Sequence, residues 1–380
     1  MNYRTLLYML VSWRVALFIV ALIAPLIVPI FGNTFPYVSE RLISSGLPSW
    51  VWSWGNFDGV HYLTIAQYGY AAQYTQAFFP LYPILIKAVS FIFLGNYVLA
   101  ALVLSNLSFM GALFLFFKLL NLEKYKSETV IWTLAFFLLF PFSFFLVSIY
   151  NESLFLVFIF ASFIAARKRM WAWAGLFGFL ASLTRLAGIF LLPALIIEWL
   201  IQRNYKVSLS SWKDMKPLLG LLMVPLGLII YMSYLAIRFG DPLYFVHAQS
   251  VFGAQRSSNE IILLPQVLWR YVKIFMTVTP NQYGFWTALW EFGVTALFLA
   301  AFIPMVKRIR LSYVVFSALA MILPTLTGTL SSMPRYTIVS FALFPILAML
   351  PKALRVILLV VFGLLLILFT ILYTRGYWVS

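Results

Sequence analysis

W-S-W-G-N-F-D-G-V-H-Y-L-T-I-A-Q-Y-G-Y, from Trp52 to Tyr70, followed by F-F-P-L-Y-P, from Phe78 to Pro83, is a polar and aromatic stretch in an otherwise oily chain. Asp58, His61 and Tyr62 stand at i, i+3 and i+4, so a helix here puts all three on one face. Asp58 is one of only ten acidic residues in 380. On spacing alone it fits a helix cap in a solvated loop between membrane spans as well as it fits a site. The runs on either side have to decide.

Those runs are apolar. The chain is 64% hydrophobic and 9% charged, with a mean hydropathy of +0.99. Many of the runs are long enough to cross a bilayer core of about 30 Å. They are continuous rather than alternating, which excludes a barrel. The fold class is therefore an all-α polytopic membrane protein, with residues 1–380 as one membrane domain. A net charge of +16 would suit nucleic acid. Here, however, the Lys and Arg residues cluster in short loops between spans, the pattern that orients membrane proteins. No nucleic-acid partner is expected. There is no cysteine and there are two histidines, His61 and His247, so disulfides and thiolate or His-rich metal sites are excluded. The first run carries no clear small-residue cleavage site and reads as a retained span.

Counting spans against charge gives about eleven. Span 1 covers 6–31, with Arg4 and Arg14 assigned to the inner side. Residues 32–95 form a long first outer loop with juxtamembrane helices, because 78–95 holds Pro80, Pro83 and Lys87. A crossing there would also put Lys118, Lys124 and Lys126 outside. Span 3 is placed at 129–149, with Y-N-E-S at 150–153 as an outer turn before span 4. The run 171–201 is split at Thr184-Arg185, since an arginine near mid-bilayer costs a few kcal/mol or more. Span 7 follows at 217–238. Residues 239–283 form a second long outer segment, ending in an interfacial amphipathic helix at 261–279 with Arg270 and Lys273. Span 9 is placed at 311–329, S-S-M-P-R-Y at 331–336 forms an outer turn, and span 10 covers 337–350. Trp50, Trp52 and Trp54 read as an interfacial belt. This topology gathers Asp58, Glu152, Arg185, Asp241, Arg256 and Arg335 from six segments at one face. Rare charges converging in a membrane protein are a functional-site signal.

The motifs then resemble a family. F-D-G-V-H-Y-L-T-I-A-Q-Y-G-Y (57–70), F-F-P-L-Y-P (78–83), F-P-F-S-F-F-L-V-S-I-Y-N-E-S-L-F (140–155), L-T-R-L-A-G-I (183–189), G-D-P-L-Y-F (240–245) and S-M-P-R-Y (332–336) follow the order seen in PIG-V-type mannosyltransferases, of the GT-C glycosyltransferase superfamily. The resemblance runs from about residue 50 to 345. Each motif alone is weak and the ordered set is specific. One departure is Phe57, where the family usually has Trp before the Asp. The chain also looks shorter than the eukaryotic enzymes, so the resemblance does not carry over the GPI acceptor.

The resemblance implies a GT-C-type helix bundle. It implies transfer of a sugar, most readily mannose, from a polyprenyl-phosphate donor to a glycan or glycolipid acceptor at the exoplasmic face. The protein would sit in the cell membrane of a prokaryote or the endoplasmic reticulum of a eukaryote. A small accessory membrane subunit is compatible with the reading. The chemistry can be argued independently. Attack of a hydroxyl on an anomeric carbon passes through an oxocarbenium-like state. A positioned carboxylate takes the proton, and guanidinium groups stabilise the charge gathering on the leaving lipid phosphate. One carboxylate and several arginines suffice for an inverting single displacement.

Roles follow. Asp58 is the candidate base, His61 its neighbour or an acceptor contact, and Glu152 a second active-site carboxylate or half of a structural ion pair. Arg335, Arg185 and Arg256 are candidates for the donor phosphate, against a bland reading as snorkelling arginines. Tyr62, Asp241, Gln249 and Tyr336 are candidate substrate contacts, although Asp241 in G-D-P also suits a plain turn. No cofactor or metal is expected, since the arginines already offer positive charge. A competing reading is a lipid-linked sugar flippase, whose site would lie nearer mid-bilayer. Others are a scaffold subunit, or the same fold with a different sugar.

Overall fold

The structure is a computed structural model describing residues 2–32, 35–206, 212–252, 256–257 and 260–379, the side chains of 212–214 excepted. The basic Lys213 expected in an inner loop thus lies outside the described side chains. Among the described residues every regular element is helical. Five helices among the described residues are long and apolar enough to cross a membrane: Tyr3–Ile27, Tyr97–Leu122, Met215–Phe239, Tyr283–Arg308 and Lys352–Thr374. Shorter apolar helices, among them Ser127–Leu139, Trp171–Thr184 and Leu311–Thr325, join them. This is the helix inventory of an integral membrane protein.

The breaks fall where backbone chemistry puts them. Leu81–Ser90 is ten residues long, about 15 Å at 1.5 Å per residue, too short to cross. The 171–201 run stops at Thr184, and Arg185 is extended at φ −162° before the helix resumes. Two expectations are corrected. The span expected at 129–149 is a helix only to Leu139, because Pro141 cannot donate to the preceding turn. The chain then passes through a 3₁₀ turn at Ser143–Val147. Residues 337–350 are not one helix either: Met333–Val339 and Leu343–Ala348 are separate, and the Ser340 hydroxyl donates to the Ser317 carbonyl at the break. Arg14 lies inside the Tyr3–Ile27 helix. There it donates to Asn106 Oδ1 at 2.7 Å and stacks over Phe18 and Trp54.

The described residues group into two compact units. The first comprises Met1–Thr75, Tyr82–Leu154 and Phe344–Val379, the second Gln76–Leu81 and Phe155–Leu343. In the first, Val20 and Ala24 of the Tyr3–Ile27 helix pack on Ile371. A phenylalanine cluster fills its centre, with Phe137 against Phe344 and Phe142 stacked on Phe369 at 4.7 Å. Trp54, assigned to an interfacial belt, is instead fully buried in this unit, with its indole N–H on the Trp50 carbonyl. In the second unit, Trp171–Thr184 lies so close to Trp212–Leu221 that a Cβ on Gly175 would sit 1.7 Å from the Gly220 oxygen. Only a glycine pair permits that approach. The same unit buries Glu198 completely. It accepts from Arg310 Nε and Nη2 at 2.5 and 2.8 Å, from Ser312 at 2.8 Å and from Gln202 at 2.7 Å.

Candidate active site

The first unit assembles the carboxylates. Asp58 opens the Asp58–Tyr68 helix, preceded by Phe57 at φ 60°, ψ −115°. That conformation is costly for a residue with a Cβ, on the order of 1–3 kcal/mol, and it turns the chain sharply so that Asp58 starts the helix. A carboxylate there lies at the positive dipole end of the first turn. The segment 149–152 runs alongside: Ile149 N–H donates to the Trp54 carbonyl at 2.9 Å. Tyr150 then bridges, donating from its hydroxyl to the Asn56 carbonyl at 3.1 Å and accepting from Asp58 N–H at 3.3 Å. Two residues on, Glu152 is 1% exposed. The Y-N-E-S turn is thus buried and lies beside the Asp58 backbone.

The helix carries the predicted face. His61 follows one turn after Asp58, and Tyr62 packs edge-on to Tyr82 with ring centroids 5.0 Å apart. Tyr82 is buried, shares a 2.6 Å hydrogen bond with Ser105 and lies within electrostatic reach of Glu152. Burial pushes the His61 imidazole below its usual value, opposed more weakly by Asp58. That burial favours the neutral imidazole beside Asp58.

The second unit assembles the arginines. Arg335 lies in the first turn of Met333–Val339 and is 8% exposed. Its Nη2 donates to Ser332 Oγ at 2.9 Å. Arg256 Nη2 donates to the same oxygen at 3.1 Å and to Ser331 Oγ at 3.3 Å. Two guanidinium groups thus meet at one hydroxyl. Glu291 lies within electrostatic reach of Arg256. Two guanidinium groups side by side still favour an anion at that point. Arg185 joins from the break after Thr184, stacked 4.4 Å over the Tyr336 ring. All three predicted arginines and Tyr336 therefore belong to one neighbourhood.

The other two candidates sit differently. Asp241 Oδ2 and His247 Nδ1 are 2.7 Å apart on an exposed turn, and Asp241 Oδ1 caps Leu243 N–H at 2.9 Å. The hydrogen bond to His247 holds the Asp241 carboxyl below the usual range. Gln249 donates to the Phe245 carbonyl at 3.2 Å. Both make the local contacts of a structured turn.

Sequence comparison supplies the identity. The profile described as Mannosyltransferase (PIG-V) matches residues 1–244. The chain belongs to this family. It is accordingly a mannosyl-transferring glycosyltransferase, with a sugar donor and a glycan acceptor. A search of curated proteins returned no match. The family match takes in Asp58, His61, Glu152 and Arg185, and ends before Arg256 and Arg335.

Sequence reasoning missed Tyr150, Tyr82, Ser331 and Ser332. All four lie inside quoted motifs. Their hydroxyls carried no signal, because Ser and Tyr are common in apolar helices and only the fold aims them.

Proposed function

We propose that the protein transfers mannose from a polyprenyl-phosphate donor to a glycan or glycolipid hydroxyl at the exoplasmic face, by inverting single displacement. Arg335 and Arg256 hold the donor phosphate, with Arg185 adding a third guanidinium. Asp58 takes the proton of the attacking hydroxyl as the bond to the anomeric carbon forms, and neutral His61 leaves its charge intact. Glu152, buried one residue beyond Asn151 and near Tyr82, orients the sugar. In this reading Tyr62 and Tyr336 contact the substrates, and Asp241 and Gln249 do so from their turn.

The observation that carries the reading is the meeting of Arg256 and Arg335 on Ser332, in a chain of a mannosyltransferase family. A leaving phosphate gains charge as it departs, and guanidinium groups in a water-poor site reward that gain. No divalent metal is required by this scheme, since the arginines supply the positive charge. In this reading about eleven crossings leave these residues outside, the chain acts as one membrane domain, and a small accessory membrane subunit is compatible with it.

Purified full-length protein in detergent, given polyprenyl-phosphate mannose and a panel of mannosylated glycolipid acceptors, should release polyprenyl phosphate and form a product of inverted configuration. Transfer should be lost in Asp58→Asn. Retention of the donor's anomeric configuration would sink the single-displacement scheme, and absence of turnover with every lipid-linked sugar would sink the donor class.

A further inference from the structure

We propose that the segment 373–378 positions Asp58, with Tyr373 and Trp378 as positioning residues for the transfer reaction. The proposal rests on the reading of Asp58 as the base. Nothing in the family match reaches these residues, since it ends at residue 244.

The argument starts from the strained residue. Phe57 at φ 60° is held neither by a glycine's freedom nor by a cap, for its helix has no side-chain cap. What surrounds its ring is Phe35 at 4.6 Å, Trp378 edge-on at 5.2 Å and Tyr373 at 6.0 Å. Rings packed on three sides fix where the Phe57 side chain can go. With the ring fixed, the backbone has no room to relax toward negative φ. The strain persists because the surroundings over-determine it.

The residue before is tied to the same segment. Asn56 is fully buried and donates from Nδ2 to the Tyr373 carbonyl at 2.8 Å. In return the Tyr373 hydroxyl lies 3.1 Å from the Trp54 carbonyl and 3.2 Å from the Asn56 carbonyl. Three of the four positions ahead of the helix start, Trp54, Asn56 and Phe57, therefore report to one tyrosine and one tryptophan some 320 residues away.

The segment is itself anchored. Arg375 donates from Nε to the Val28 carbonyl and from Nη2 to the Pro29 carbonyl, both at 2.7 Å. Gly32 N–H donates to the Arg375 carbonyl at 2.6 Å. A Cβ on Gly32 would lie 2.7 Å from the Gly376 oxygen, so the two backbones touch. The end of the Tyr3–Ile27 helix thus braces 373–378, and 373–378 braces 54–58. Catalysis by a carboxylate base depends on placing its oxygen to within a fraction of an ångström, and misplacement by about 1 Å can cost about 10²-fold.

The test uses the full chain in detergent with Trp378→Ala, Trp378→Phe and Tyr373→Phe. Two readouts are taken: backbone hydrogen exchange in 54–62, and kcat and KM with polyprenyl-phosphate mannose. Trp378→Ala should raise exchange in 54–62 and lower kcat roughly 10-fold, with donor KM changed less than about twofold. Trp378→Phe, which keeps an aromatic ring against Phe57, should recover most of both. Tyr373→Phe keeps the ring and loses the two carbonyl contacts, and should give a smaller effect of the same kind. It also carries the test should Trp378→Ala fail to fold. Unchanged exchange in 54–62 overturns the proposal, as does raised exchange with wild-type kcat, or a loss confined to KM. Full activity in Asp58→Asn would instead sink the base assignment, and the exchange readout separates that failure from this one.

Discussion

Arg335→Lys tests the phosphate assignment most sharply, because it keeps the charge and removes the fork. Arg335 is 8% exposed and reaches Ser332 Oγ at 2.9 Å. A lysine retains the Coulomb attraction, which for a unit charge about 4 Å away at an effective dielectric near 20 amounts to about 4 kcal/mol. It cannot present two parallel N–H groups to a phosphate while also keeping Ser332. The expected loss is one to two charge-assisted hydrogen bonds, about 2–3 kcal/mol, or about 30- to 150-fold in transition-state stabilisation at 1.36 kcal/mol per decade. Two assays check it: kcat/KM with polyprenyl-phosphate mannose, and affinity for the product-like polyprenyl phosphate by calorimetry or thermal shift. Both should weaken, with the larger effect on kcat/KM. Arg256→Lys should lose less, because Arg256 divides its contacts between Ser331 and Ser332. Wild-type affinity for polyprenyl phosphate in Arg335→Lys would remove Arg335 from the phosphate and leave Arg185 or Arg256 in its place.

Other outcomes follow from the same geometry. Asp58→Asn should lower turnover by about 10²-fold or more while polyprenyl-phosphate affinity holds, with Glu152→Gln as the control; an active Asp58→Asn beside a dead Glu152→Gln would make Glu152 the base. Arg310→Ala should destabilise the protein by about 3–5 kcal/mol, read as thermal shift in detergent, because it strips the bidentate partner from a carboxylate with no exposure. In this cysteine-free chain, single cysteines at the exposed Ser44 and Lys126 should label oppositely in intact cells, Ser44 from outside and Lys126 only after permeabilisation; the reverse pattern would invert the topology. The lowered Asp241 carboxyl means that the 241–247 turn gains stability above the ordinary Asp value of 3.8 and loses it as pH falls through the lowered value; hydrogen exchange across 241–247 should show that window, and His247→Ala should shift it upward.

Much of this was legible because membrane sequence is punctuated by cost. Arg185 marks a helix break, since a helix passing through would have to bury it, and the structure breaks there. The Asp58, His61, Tyr62 face is legible from helical spacing alone. The neighbourhood of Arg335, Arg185 and Tyr336 was foreshadowed only as a set of rare charges, and the stacking of Arg185 on Tyr336 is a tertiary fact with no local signal. The misreadings have one cause. Apolar runs were joined across Pro141 and Ser340 because hydropathy measures solvent preference and is blind to a missing N–H or a side-chain hydrogen bond at a kink.

What sequence could least reveal is what shapes both clusters: the helices that carry Asp58 and Arg335 each start after a residue with positive φ that is not glycine. Phe57 stands at φ 60° before Asp58, and Ser332 at φ 70° before the turn that holds Arg335. A glycine at either place would announce the turn and adopt it without strain. It would also let the turn open, because a glycine has no side chain to grip. Phe57 offers a ring that Phe35, Tyr373 and Trp378 enclose, and Ser332 offers an oxygen that two guanidinium groups share. In each case the side chain that makes the backbone conformation costly is the one the surroundings use to fix it. Substituting glycine at 57 or 332 should therefore relieve local strain and still lower turnover, the signature of strain kept for placement rather than for stability.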